Sequence, residues 1–341
     1  MPPKLIITTG ISGCGRPEYL ETWEEHCRER GKKVKVFHMG GLMKEHAREM
    51  ALDLPEDNIL NIDNKRLDIL RSAVSKGILA ELKHEYKDFD AVVLVVHVFF
   101  FWKERLQRSY DRFMRAFSPD MFISFVDDAG KILKRLNARA QWKDQGMTRR
   151  DILRWQATEV EVTAILAENA WKPHYVVAVE QPISTLYKLI FHPEIEQVYI
   201  AMPISHFREP EDRRAIDAFV ERLNQYFVVF NPLSVEAVGA VNPKDPKRDT
   251  VMDHHTVNRD LHWFVQQSDK IIPYWPKAVP SPGMNIETYH AFMNGKDVWV
   301  VFLGAETSPF TTYFATKFFT SEEAFFAFLK EKYPERSSLA W

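Results

Sequence analysis

The chain has 341 residues, 45 Lys and Arg against 47 Asp and Glu for a formal net charge of -2, and 45% hydrophobic residues. Such a composition supports globular folding with room for two cores, and the near balance of charge, without a long single-sign block, argues against nucleic acid as a partner and for small molecules. Cys14 and Cys27 are too few for a disulfide framework, no signal-peptide pattern opens the chain, and the longest apolar run, 91–101, is broken by His97 and falls short of the roughly 20 residues that span a bilayer. The expectation is a cytoplasmic protein without a membrane segment.

In chain order, β-rich runs fall at Lys4–Thr9, Lys33–His38, Ala91–Val98, Met121–Phe125 and Tyr175–Val179, separated by segments of helical spacing. In one of these, Leu67, Leu70, Val74, Ile78 and Leu79 recur mostly at three or four residues, which predicts a helix with one face on a sheet. A second alternation begins after His192-Pro193. It runs through a strand at Val198–Met202, a helix from about Glu209 to Gln225 and a strand at Phe227–Phe230. A helix at Val257–Gln267, a strand at Lys270–Tyr274, a helix after Gly283 and a strand at Val298–Phe302 complete it. The predicted class is α/β, with two doubly wound parallel-sheet domains covering 1–193 and 197–341. The stretch Asn242–Asp249 reads as a loop over the second site, and Phe318, Phe319, Phe325, Phe326 and Phe328 as one closing amphipathic helix.

The first strand runs into Gly10-Ile11-Ser12-Gly13-Cys14-Gly15-Arg16-Pro17, the glycine spacing of a P-loop, in which backbone N–H groups wrap phosphate oxygens ahead of a helix. Gly10, Ser12, Gly13, Gly15 and Arg16 are the candidate phosphate-binding residues. With Phe37-His38-Met39-Gly40-Gly41, Val96-His97, Pro119-Asp120-Met121-Phe122-Ile123 and Ile132-Leu133-Lys134-Arg135 in this order, the first half resembles the archaeal-type adenylate kinases. That resemblance implies a P-loop kinase-like fold and a nucleotide such as ATP at the loop. The chain departs from it at the catalytic positions: Arg16 stands for the lysine that reaches the outer phosphates, Pro17 for the hydroxyl residue on magnesium, and Val95 where an acidic residue is expected. Phosphoryl transfer rests on positioning and metal charge, so the expectation is a degenerate loop without turnover, either nucleotide-binding or a purely structural remnant, with magnesium left open.

The second half carries Val198-Tyr199-Ile200-Ala201-Met202-Pro203, Asn258-Arg259-Asp260-Leu261-His262-Trp263, Ser268-Asp269-Lys270 and Pro280-Ser281-Pro282-Gly283-Met284-Asn285-Ile286-Glu287. A turn with a hydroxyl and a glycine, followed by a carboxylate about one helical turn on, suits a phosphate and a nucleophile aimed at one sugar. These elements resemble the nucleoside 2-deoxyribosyltransferase superfamily, most closely its 2'-deoxynucleoside 5'-monophosphate N-glycosidases. The resemblance implies a flavodoxin/Rossmann-like domain in which Glu287 attacks the anomeric carbon and Asp260 contacts the sugar or passes a proton to the leaving base. It assigns Ser281 to the 5'-phosphate, where transferases for unphosphorylated nucleosides carry an aspartate, and Gly283, Tyr199, Met202, Ser205 and Arg208 to substrate binding. The pattern's second glycine is Asn285 here.

The expected activity is cleavage of the N-glycosidic bond of a (deoxy)nucleoside 5'-monophosphate, by hydrolysis or transfer. No cofactor or metal is needed at that site: adjacent His254 and His255 lack metal-ligand spacing. A homodimer or higher oligomer follows from the resemblance alone. The alternatives are a nucleotide kinase with an accessory salvage domain, or a nucleotide sensor without catalysis.

Overall fold

The computed structural model describes residues 2–52, 61–102, 105–109, 116–143, 145–206, 209–235 and 250–336, apart from the side chains of residues 64, 108 and 205. They form two compact units that divide between Val179 and Glu180.

The first unit is built on β1 (Lys4–Thr9), α1 (Arg16–Glu29), β2 (Val34–His38), α2 (Met39–Glu49), α3 (Asn64–His84) and β3 (Ala91–Val95), then β4 (Phe99–Trp102) and β5 (Arg105–Arg108). It continues with β6 (Met121–Val126), α4 (Ala129–Asn137), α5 (Ala140–Lys143), α6 (Arg149–Ala170) and β7 (His174–Ala178). Five strands make a parallel sheet in the order β2-β3-β1-β6-β7. Its central strands are apolar almost throughout, as burial on both faces demands: all five residues of β3 are buried. The predicted stripe of α3 is the one used, with Leu67, Leu70, Val74 and Ile78 packed beside Leu5, Ile7, Val92 and Leu94. Asp63 caps α3 through the N–H groups of Lys65 and Arg66. The antiparallel hairpin β4–β5, read from sequence as the tail of one apolar run, stands apart from the main sheet.

The second unit contains α7 (Ile183–Phe191), β8 (Gln197–Ala201), α8 (Pro210–Leu223), β9 (Val228–Phe230), α9 (Thr250–Asn258) and a π-helical segment over Arg259–Val265. Then follow β10 (Lys270–Trp275), α10 (Pro282–Met293), β11 (Asp297–Phe302), α11 (Pro309–Tyr313), β12 (Lys317–Phe319) and α12 (Glu322–Lys332). All five strands are parallel, in the order β12-β11-β10-β8-β9. Counted along the chain this is 2-1-3-4-5, the doubly wound order whose direction reverses between its first and third strands, here β8 and β10. Crevices at the carboxyl ends of strands beside such a reversal are where this architecture places ligands.

Three expectations need correction. The helix α7, assigned from sequence to the first domain, belongs to the second unit, where the Lys188 ammonium donates to the carbonyls of Asn224 and Phe227. The aromatic tail is not one helix: Phe318 and Phe319 lie in β12, which pairs with β11, and only Phe325, Phe326 and Phe328 are in α12. The predicted helix at Val257–Gln267 begins earlier, at Thr250, and widens into the π segment. The loop Asn242–Asp249 lies outside the described residues.

Candidate functional site

Two sites follow from the two strand-to-helix crevices. In the second unit, β8 contributes Tyr199, the π segment contributes Arg259 and Asp260, and α10 contributes Glu287. The Tyr199 hydroxyl donates to Glu287 Oε1 at 3.1 Å, and Arg259 Nε donates to Asp260 Oδ1 at 2.9 Å. Tyr199, Arg259 and Asp260 are buried, Arg259 to 1% exposure, and Glu287 is partly accessible. A π segment widens the helix by one residue per turn and is often found at functional sites; here it carries the Arg259–Asp260 pair into the interior beside β8.

The electrostatics follow from burial around few counter-charges. Glu287 is pushed up to about 8, first by desolvation and then by the charge of Asp260, against the Tyr199 hydrogen bond and the Arg259 guanidinium. Asp260 is also raised by burial, opposed by the charge and hydrogen bond of Arg259. Tyr199 is raised well above its ordinary value by burial and by both carboxylates. At neutral pH Glu287 therefore holds a proton, while Asp260 is the acid with a cation bonded to it. A pair of acids with different partners is an arrangement suited to proton transfer.

Around this group the sequence-derived candidates divide. Ser281 is the N-cap of α10 and accepts the Met284 N–H at 3.5 Å, which leaves its own proton free to donate. Gly283 is exposed in the first turn of α10 with nothing near its missing side chain. Met202 is buried just past the end of β8. Ser205 lies in a short helical turn, Ile204–His206, with its side chain outside the described residues, and Arg208 is outside them entirely. Arg259 was quoted in the sequence motif without a role; its burial next to Asp260 makes it the counter-ion of the site.

In the first unit the loop between β1 and α1 has P-loop shape. Gly13 and Gly15 sit at φ 81° and 85°, left-handed values that favour glycine, and a Cβ on Gly13 would meet Leu136 at 3.1 Å. The charged groups near the loop are engaged by the main chain. The Arg16 guanidinium, expected on the outer phosphates, is buried to 3% exposure and turns inward: its Nη1 donates to the carbonyls of Thr8 at 2.9 Å and Val96 at 2.7 Å. Glu159 of α6 accepts from the N–H of Gly10 at 3.3 Å, Val98 at 2.7 Å and Phe99 at 2.8 Å. The Cys14 thiol, raised by burial, accepts from the Arg16 N–H. Ser12 remains partly exposed on the loop, and Arg135 donates both to the Gly13 carbonyl and to Asp127. The fit for a magnesium-bound triphosphate is therefore poor: the cation Arg16 is engaged by main-chain carbonyls, and Pro17 stands where the metal-directed hydroxyl is expected. Glu159 escaped the sequence reading, although Gln156, Glu159 and Thr163 recur at three and four residues on a helix otherwise buried through Leu153, Val160 and Ala167. Polar groups on a buried stripe are the signal that would have found it.

Residues 9–153 match the family model of an AAA domain. That span is under half of the chain, and over it the first unit is similar to a P-loop nucleotide-binding domain. Among solved structures, a shikimate kinase from Bacteroides thetaiotaomicron is 13% identical, matching 55% of this chain and 97% of its own at a TM-score of 0.34. A gluconokinase from Sinorhizobium meliloti is 17% identical over 57% of this chain and 97% of its own, at 0.29. A conserved protein from Enterococcus faecalis is 16% identical over 40% and 99%, at 0.29. No curated protein matches the chain. Among the described residues no helix is long and apolar enough to cross a membrane.

Proposed function

We propose that the second unit cleaves the N-glycosidic bond of a nucleoside 5'-monophosphate, with Glu287 as nucleophile. The carrying observation is the Tyr199 hydrogen bond to Glu287, with the charges of the Arg259–Asp260 pair acting on that carboxyl, next to the reversal of strand direction. In the step envisaged, the Glu287 carboxylate forms a bond to the anomeric carbon as the carbon–nitrogen bond breaks, and the departing base leaves with a proton. Glu287 must first give up its own proton; Asp260, electrostatically coupled to it, is the group through which that proton passes towards the base. Water or a second base then displaces the carboxylate. Tyr199 orients Glu287, and Ser281 at the start of α10 donates to the phosphate.

The first unit, in this reading, is a nucleotide-binding module without phosphoryl transfer, because Arg16 faces the sheet rather than the loop. The match of residues 9–153 keeps one alternative in view, a nucleotide kinase with an accessory second unit. Incubation with a panel of ribo- and deoxynucleoside monophosphates, with chromatography for free base, tests the main reading. Base release lost in Glu287→Ala supports it; release from no nucleotide, with transfer of labelled phosphate from ATP instead, replaces it by the alternative.

A further inference from the structure

The second unit contains another concavity, a cavity of about 450 Å3 where β10 and β11 end. It is set apart from the Glu287 group by helix geometry. Asn285 lines the cavity, and two residues along a helix correspond to about 200° of rotation, so Glu287 leaves α10 on nearly the opposite side. Nothing in the proposed glycosidase chemistry uses this space beyond Ser281 at its edge.

Its walls specify a ligand. Trp275 and Phe302 form an aromatic side, with ring centroids 6.0 Å apart and planes tilted by 58°. Asn285 and Thr311 add neutral hydrogen-bonding groups, and Glu306 is the one charged residue among the described lining residues. The nearest cation in sequence, Lys277, is paired with Asp212. A phosphate or carboxylate entering here would meet no cation among the described lining residues and would face the Glu306 carboxylate, which repels it. An uncharged planar molecule with N–H donors avoids both costs, stacks on the rings and offers its donors to Glu306 and the Asn285 carbonyl. The volume falls within the range of small-molecule pockets, about 300–1,000 Å3.

We propose that this cavity is a second ligand site, separate from Glu287, for an uncharged nitrogen heterocycle of nucleobase or nucleoside size. Its test uses the full chain carrying Glu287→Gln, so that no turnover intervenes. Calorimetric titrations with adenosine, guanosine, cytidine and thymidine are compared with those of their 5'-monophosphates. The same titrations are repeated with Asn285→Ala or Glu306→Lys added, both at exposed positions. The expected result is a nucleoside-binding component weakened at least fivefold by Asn285→Ala, favouring nucleoside over monophosphate at least tenfold. Glu306→Lys should reduce or reverse that preference. Three results would overturn the proposal: no nucleoside binding, binding indifferent to both substitutions, or an Asn285-sensitive component that takes the monophosphate as tightly as the nucleoside.

Discussion

Single side chains decide the chemistry of both units, and their burial makes specific predictions. Glu287 holds its proton up to about pH 8, while a free glutamate releases it near 4.5. Across that window the native state binds a proton that the unfolded chain does not, so this residue lowers stability progressively as pH rises and does so fully above about 8. Glu287→Gln should therefore raise Tm at pH 9 and change it little near pH 4; an equal shift at both would remove the carboxyl from the argument. If the Glu287 proton is the one that passes to the base, kcat/KM for base release should hold below pH 8 and fall as that proton is lost above it. Arg16 gives a prediction of the opposite kind. Thr8's carbonyl keeps a second donor, the Val96 N–H, but Val96's own carbonyl loses a buried one in Arg16→Met. A loss of roughly 1–3 kcal/mol in denaturant unfolding follows, with nucleotide affinity unchanged; a fall in affinity without loss of stability would return Arg16 to the loop. The sequence identifies Arg16 as the wrong residue for a P-loop lysine, but which way a long side chain turns depends on the Val96 carbonyl, 80 residues away, and that is set by tertiary packing.

At the scale of elements, most strands were legible because parallel strands buried on both faces read as continuous apolar runs, as in β3, β8 and β10. What escaped were elements whose signal is shared with a neighbour: the β4–β5 hairpin continues the apolar run of β3, and β12 merges by aromatic content with α12. The acid-bearing helix α10 was found by its Pro-Ser-x-Gly start, and its N-cap is in place. The cavity beside it had no sequence signature, since its lining comes from the ends of two strands and the loops that follow. Gly304 holds one of those loops close: a Cβ there would stand 2.6 Å from the Ala278 Cβ and 2.6 Å from the Phe302 ring. Gly304→Ala should consequently cost about 1–3 kcal/mol through forced displacement of the Phe302 ring. It should also alter any ligand binding in the cavity. Unchanged unfolding free energy would mean that the loop yields freely.

For the whole molecule, the position of the division between units matters more than their number. Sequence placed the boundary at the acidic, proline-containing stretch after His192, where composition changes; the structure places it at Val179, before α7. The reason is α7 itself, whose buried residues Leu186, Tyr187, Leu189 and Ile190 close the second unit next to β9. Lys188 is fixed within it by two main-chain carbonyls and pushed down to about 7 by burial. Gln181 adds a third tie, donating to the Val229 carbonyl of β9 at 2.9 Å. A chain cut to 180–341 keeps all of these, so it should fold cooperatively and retain whatever base release the intact protein shows. A chain cut to 194–341, at the boundary that composition suggests, exposes one face of β9 and leaves the Asn224 and Phe227 carbonyls without the Lys188 donor. It should be poorly soluble or melt at a markedly lower temperature. Thermal unfolding of the two truncated chains side by side distinguishes these outcomes: equal Tm values would show that α7 is dispensable to the second unit, and loss of base release from a well-folded 180–341 would show that the catalytic step draws on the first.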